Sequence, residues 1–309
     1  MGCANSTAKT EEIQKLITVF GATGAQGGGV VEFLKKDKCF KIRAVTRNPD
    51  GEKAKKLIEE GIEVVKADQS DVESLKEAVK GAYGVFLVTQ FWEAFDEEKE
   101  YNEGKNVVDV VKESGCKHLI FSGLENVEEL IGKKCPHFDS KAKLEQYIQE
   151  SGLKFTIVRY SFYAENFYSL MKPLKDDDGS FSFNIPMGDY PLDVIFVNEA
   201  GECITNIFKA PEKFVGQAIG LSSVCQSMKE YATLMEEKLG VKIATPKITT
   251  EDYSKLGFPG AEVLAVMFEF YQTGKCDRDV AMTRKLAPSM STYEEWVDKH
   301  TEEMKAAFS

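Results

Sequence analysis

Gly21, Gly24 and Gly27 stand three apart in the run Ile17-Thr18-Val19-Phe20-Gly21-Ala22-Thr23-Gly24-Ala25-Gln26-Gly27-Gly28-Gly29. An apolar strand enters the turn, and a helical apolar pattern at Val30, Val31, Phe33 and Leu34 leaves it. In that context the first glycine permits a tight turn, the second lets backbone approach a pyrophosphate, and the third lets helix pack on strand. The helix start adds unpaired N–H groups and the positive end of its dipole. The turn from Gly21 through Ala22, Thr23, Gly24, Ala25 and Gln26 to Gly27 is therefore read as a dinucleotide cradle. The second strand, Ile42 to Thr46, ends in Arg47 and Asn48, where an NAD-binding turn carries a carboxylate for the ribose 2′-hydroxyl. A guanidinium there suits a 2′-phosphate, so NADP(H) is the expected cofactor. Only five of the 39 basic residues are arginine, and one of them is at this position. Topology alone puts Asp68 and Gln69 beside the adenine, and Thr89, Gln90 and Phe91 beside the ribose and nicotinamide.

The elements that must position these residues alternate. Strands are expected at 16–21, 41–46, 62–66, 83–88, 117–122 and 154–159, and helices near 24–37, 52–60, 71–80, 97–115 and 139–151. Ser70-Asp71-Val72-Glu73 reads as a capping box opening the third helix, and Leu144, Tyr147 and Ile148 mark the inner face of the fifth. Such alternation implies an α/β fold with a doubly wound parallel sheet, the NAD(P)-binding Rossmann fold. The expected division is a flexible tail over 1–14 and a Rossmann domain over 15–160. A helix near 197–209 and a strand near 216–221, within 193–222, return to that domain. A smaller, discontinuous, mostly helical second lobe takes 161–192 and 223–309, over the strands' carboxyl ends. Asp176-Asp177-Asp178-Gly179 reads as a solvated loop tip rather than a metal site, and Gly257-Phe258-Pro259-Gly260 as a turn.

The 309 residues carry a formal charge of −11, which opposes a nucleic-acid surface. Seven scattered cysteines form no C-x-x-C pair, and the three histidines lie far apart. No metal and a reducing cytosol are expected. No apolar run approaches the roughly 20 residues of a membrane helix, and no secretory signal is recognised.

The blocks Gly21 to Gly28, Val45-Thr46-Arg47-Asn48-Pro49, Ser122-Gly123-Leu124-Glu125-Asn126 and His137-Phe138-Asp139-Ser140-Lys141 occur in order. They are followed by Tyr163-Ala164-Glu165-Asn166 and Leu256-Gly257-Phe258-Pro259-Gly260-Ala261. Together they resemble the NmrA-like family, and among it the animal NADPH-sensor proteins, from about residue 15 to the C-terminus. The resemblance implies an atypical short-chain dehydrogenase/reductase fold, NADP(H) binding, a cytosolic and sometimes nuclear location, and regulation of partner proteins. A homodimer stays open. By position, it implies that Lys141 contacts the nicotinamide ribose and that Tyr163, Ala164, Glu165 and Asn166 close over the nicotinamide end. Asn102 stands where the sensor relatives carry a lysine, and Ala164 replaces a larger aromatic.

Catalytic short-chain reductases pair a strand-end serine with Tyr-x-x-x-Lys. Here Ser122 and Lys141 are in register, but His137 holds the tyrosine's place. A histidine can act as a general acid near neutral pH, yet a structural or cofactor-positioning role is the leading expectation. Tyr101/Lys105, Tyr168/Lys172 and Tyr271/Lys275 repeat the string off the proper helix and read as chance. A non-enzymatic NADP(H)-responsive regulator is thus expected. The alternative is an NADPH-dependent reductase of a carbonyl or quinone using Lys141 and His137.

Met1-Gly2-Cys3-Ala4-Asn5-Ser6 fits the myristoylation pattern at Gly2, with Cys3 a palmitoylation candidate. A membrane tether is one expected fate of the N-terminus.

Overall fold

Seven parallel strands form the large sheet, and the turns at its strand ends carry most of the candidate residues. The computed structural model describes residues 14–308, so most of the expected tail, with Gly2 and Cys3, lies outside the described residues. The chain runs β1 (Lys15–Val19), α1 (Ala25–Asp37), β2 (Phe40–Thr46), α2 (Glu52–Glu59), β3 (Glu63–Lys66), α3 (Val72–Val79), β4 (Gly84–Leu87) and α4 (Glu97–Ser114). It continues through β5 (His118–Ser122), α5 (Val127–Ile131), α6 (Pro136–Glu150) and β6 (Phe155–Tyr160). Then follow β7 (Phe162–Tyr163), a 3-10 turn over Ala164–Tyr168, β8 (Leu174–Lys175), β9 (Phe181–Ser182), β10 (Leu192–Ile195), α7 (Gly201–Lys209), β11 (Ala218–Leu221) and β12 (Val224–Gln226). The last part holds α8 (Met228–Leu239), β13 (Ile243–Ala244), α9 (Thr250–Ser254), α10 (Ala261–Gln272), α11 (Val280–Leu286), α12 (Tyr293–Lys299) and α13 (Thr301–Phe308).

The large sheet has the order β11-β6-β5-β4-β1-β2-β3. Every ladder in it is parallel. The order reverses direction between β1 and β4, where a doubly wound sheet opens a crevice at the strands' carboxyl ends. The six strands expected in the first half each fall within two residues of the observed ones. The fifth expected helix starts earlier, at Pro136, because a proline suits the first helical turn. The capping box does not form as read. Asp71 caps α3 by accepting from the N–H groups of Glu73 and Ser74, while Ser70 donates to Asp68 instead. A carboxylate one position later takes the cap.

One apolar core lies on one face of the sheet and continues from Ile17 and Val30 through Phe162, Phe196 and Phe268 to Trp296 and Met304. The other face packs Phe20, Leu75, Val107 and Ile148. Two short sheets, β12-β10-β7 and β13-β9-β8, escaped the sequence reading, as did α5. Elements of two to five residues carry too little periodicity to register. The acidic triplet Asp176–Asp178 sits at the tip between β8 and β9, where Ser180 donates to Asp178 and Gly179 has a φ of 85°.

Two glycines set how α1 meets α7. A Cβ on Gly201 would lie 2.1 Å from the carbonyl oxygen of Gly29, and one on Gly29 would lie 2.6 Å from that of Asn198. Backbone therefore touches backbone, holding the helix that follows the glycine turn against α7. At the far end of the sheet, Asp279 lies along β11. Its N–H donates to the Gly220 carbonyl at 3.2 Å, and it pairs in parallel with Leu221. At the opposite edge β3 has four residues, beginning with Glu63 and ending with Lys66.

Candidate functional site

Gly21 ends the turn's entry with a φ of 64°, a conformation a side chain resists. A Cβ on Gly27 would meet the Gly21 carbonyl oxygen at 2.3 Å, so α1 can rest on the turn only with a glycine there. Gly24 precedes α1, and no side chain caps that helix. The first N–H groups of α1 are thus left for another acceptor. Ala22 is buried and bonds back to Val45, behind the turn rather than in the crevice.

The crevice over β1 and β4 is a cavity of about 470 Å³. Gly21, Thr23, Gly24, Ala25, Gln26, Gly27, Arg47, Asn48, Asp68, Gln69, Thr89, Gln90 and Tyr163 all line it. It joins a second cavity of about 320 Å³ through Gln26, Thr89, Gln90 and Tyr163. That space is lined by Phe91, Trp92, Ser122, His137, Phe138, Lys141, Asn166 and Tyr271, among others. The expected residues from six separate segments are therefore brought to one trough. Ala164 and Glu165 line neither cavity. Ala164 is fully buried. Glu165 accepts from the N–H of Val197 at 3.3 Å, and burial pushes its carboxyl up to about 7. The 3-10 turn that begins at Ala164 points these two away from the crevice while Tyr163 and Asn166 face it. The tip of the closing segment is fixed by Gln26, whose Nε2 donates to the Tyr163 hydroxyl at 2.6 Å.

Arg47 does not stand free. Its guanidinium donates through both terminal nitrogens to the two carboxylate oxygens of Glu93. That bond raises the Arg47 pKa and lowers that of Glu93. Asp68 is held by Ser70, whose N–H and hydroxyl donate to Oδ1 at 2.8 and 2.6 Å, and its pKa falls. Gln69 spends its amide on the Val88 carbonyl, leaving a buried, unpartnered Oε1.

Lys141, on α6, reaches across to the end of β4. It donates to Thr89 Oγ1 at 2.7 Å and forms an ion pair with Glu100 of α4. Thr89 also donates to Glu100 at 2.7 Å, and Ser140 donates to its other oxygen. Glu100 is 2% exposed, and the three donors satisfy it. His137 is buried, with Nδ1 3.6 Å from the Cys135 sulfur. Its ring lies 4.7 Å from that of Trp92 and 4.9 Å from that of Phe138. Burial, and then the charge of Lys141, lowers its pKa to about 3. The imidazole is therefore neutral at physiological pH and carries no acidic proton of the imidazolium kind. This burial agrees better with the structural or cofactor-positioning role than with the general-acid alternative, although the residue still lines the second cavity.

Glu93, Glu100 and Tyr271 are the residues sequence reasoning missed. Glu93 and Glu100 fall in a charged stretch that resembles an ordinary acidic helix start. Tyr271 belongs to a string that reads as chance, yet it lines the second cavity from α10. Its partner Lys275 turns away to the Leu130 carbonyl. The other two strings do not reach either cavity with both members. Among the described residues, no group of three or more His, Cys, Asp or Glu could hold a metal. The six described cysteines are free. No described helix is long and apolar enough to cross a membrane.

The model of the NmrA-like family matches residues 13–297. An NmrA-like family domain-containing protein of Dictyostelium discoideum is 31% identical, with 93% of this chain and 98% of the relative covered. The NmrA-like family domain-containing oxidoreductase FrzB of Cladobotryum sp is also 31% identical, over 84% of each chain. The crystal structure of NmrA, a negative transcriptional regulator, in complex with NADP superposes with a TM-score of 0.82. It is 22% identical and covers 96% of this chain and 98% of its own. That likeness speaks to the fold.

Proposed function

Because the chain belongs to the NmrA-like family, we propose that it is an NADP(H)-binding regulator, read by protein partners through its bound cofactor, and not a short-chain reductase. The residues present fit the cofactor. The glycine turn and the uncapped start of α1 would hold the pyrophosphate, Arg47 and Asn48 the 2′-phosphate, and Asp68 and Gln69 the adenine. Thr89, Gln90, Phe91 and Lys141 would hold the ribose on the nicotinamide side, with Tyr163 and Asn166 above it. Bound NADPH supplies a hydride; everything else about a reaction must come from the chain. A cytosolic and nuclear location and regulatory partners belong to the same proposal.

The observation that carries it is His137. Where a reductase needs an acid to follow the hydride, this chain places a neutral, buried imidazole packed between Trp92 and Phe138. Lys141 holds its position through Glu100 and Thr89 and so serves binding. The test is to measure stoichiometric NADPH binding by calorimetry together with NADPH consumption against a panel of carbonyls and quinones. Binding with negligible turnover supports the regulator. Turnover of about 1–10³ per second on any panel member overturns it.

One observation favours the reductase as a second reading. The 320 Å³ cavity beside Lys141 has aromatic and aliphatic walls, from Phe91, Trp92, Phe138, Leu264, Met267 and Tyr271. That shape and polarity suit a flat carbonyl or quinone.

A further inference from the structure

We propose that Glu93 is a specificity-determining residue that narrows the preference of this site for NADP(H) over NAD(H) by competing for Arg47. The proposal rests on the reading of Arg47 as the 2′-phosphate ligand. Arg47 follows β2 and Glu93 lies in the segment after β4, so the pair bridges the mouth of the crevice over β1. Both terminal guanidinium nitrogens are committed to both carboxylate oxygens. This is the fork-to-fork geometry in which arginine also grips a phosphate. One fork cannot serve both acceptors. A 2′-phosphate must either displace Glu93 from that fork or take the guanidinium's remaining hydrogens on the Nε side, and in both cases the carboxylate stays beside it. Asp68 and Glu103 act on the same guanidinium, so the phosphate enters a surrounding that is already acidic.

A cofactor without the phosphate meets the opposite situation. Its ribose 2′-hydroxyl needs an acceptor, and the Glu93 carboxylate, held in place by Arg47, is one. Asp68 is less available, because Ser70 occupies its Oδ1. The pair thus offers a cation to one cofactor and an anion to the other. Both side chains are about half exposed, so the bridge is weak enough to open.

Calorimetric titration of the full chain with NADPH and NADH reads this directly. Glu93→Gln should tighten NADPH by about two- to tenfold, while NADH stays unchanged or weakens. No change in the NADPH/NADH affinity ratio, or equal tightening of both, overturns the proposal. Arg47→Ala tests the underlying reading separately, with an expected loss of about ten- to a hundredfold for NADPH and little for NADH. Equal loss for both cofactors removes Arg47 from the 2′-phosphate and takes the competition with it. A normal Arg47→Ala result with an unchanged ratio in Glu93→Gln refutes Glu93 alone.

Discussion

Lys141 is paired with Glu100, a carboxylate buried in α4 and shared with Thr89 and Ser140. The lysine that faces the cofactor trough is thereby held from behind, at a fixed height over the end of β4.

Breaking that pair from one side should be costly. Lys141→Met leaves Glu100 charged and buried, for which the expected loss is about 3–5 kcal/mol. The double variant Lys141→Met, Glu100→Gln should recover most of it. Urea unfolding of the two variants measures the difference. A single variant within about 1 kcal/mol of the native chain would show that the pair contributes as a surface bridge does.

The contact of α1 with α7 gives a second expectation. Gly201→Ala drives a methyl into the Gly29 carbonyl and should destabilise by about 1–3 kcal/mol. Gly28→Ala, one position from Gly29, meets nothing closer than 3.6 Å and should stabilise by about 0.4–1 kcal/mol. Thermal melts in which both variants move in the same direction contradict this packing.

Glu165 gives a pH dependence of definite sign. Its folded pKa is raised to about 7 from 4.5. The folded state therefore holds a proton that the unfolded state has released. Stability from this source is fully present below 4.5 and is lost as pH rises through 7. Glu165→Gln cannot titrate. Native stability relative to the variant should fall between about pH 4.5 and 7, at up to about 1.4 kcal/mol per pH unit, and level off above that. A constant difference across that range refutes the burial of this carboxyl.

The N-terminal pattern is checked by mass spectrometry of the protein from its native cells. A myristoyl group on Gly2, with or without an acyl group on Cys3, is the expected product. A retained Met1 or a free Gly2 amine excludes it. A single chain would give only marginal membrane binding, so the modification state of Cys3 decides whether the protein is held there.

Gly21, Gly24, Gly27 and Arg47 were legible because their signals are local: a turn that only glycine can make, and a strand end with the wrong charge for one cofactor. The strands of the sheet were legible for the same reason, through short apolar runs between helical periods. Glu93 and Glu100 were not, because an acidic residue near a helix start has a sufficient local explanation, and only the fold shows which carboxylate faces a cation. His137 stands in register with Lys141, but its burial depends on Phe91 and Trp92 arriving from the segment after β4. Tyr163, Ala164, Glu165 and Asn166 are contiguous in the sequence, yet a tight 3-10 turn sends two toward the crevice and two away.

The segment at Asp277 to Asp279 has a bearing on how copies of the chain could meet. A Cβ on Gly220 would lie 1.9 Å from the Asp277 carbonyl, so the end of the strand lies flush beneath that segment and its rim is covered there. The opposite rim offers only Glu63 to Lys66, too short and too charged to invite a neighbour. The large sheet therefore resists growth by strand addition at both ends. Among the described residues, the rims of the large sheet are thus poor templates for a second copy, and only the two short sheets keep other strand edges.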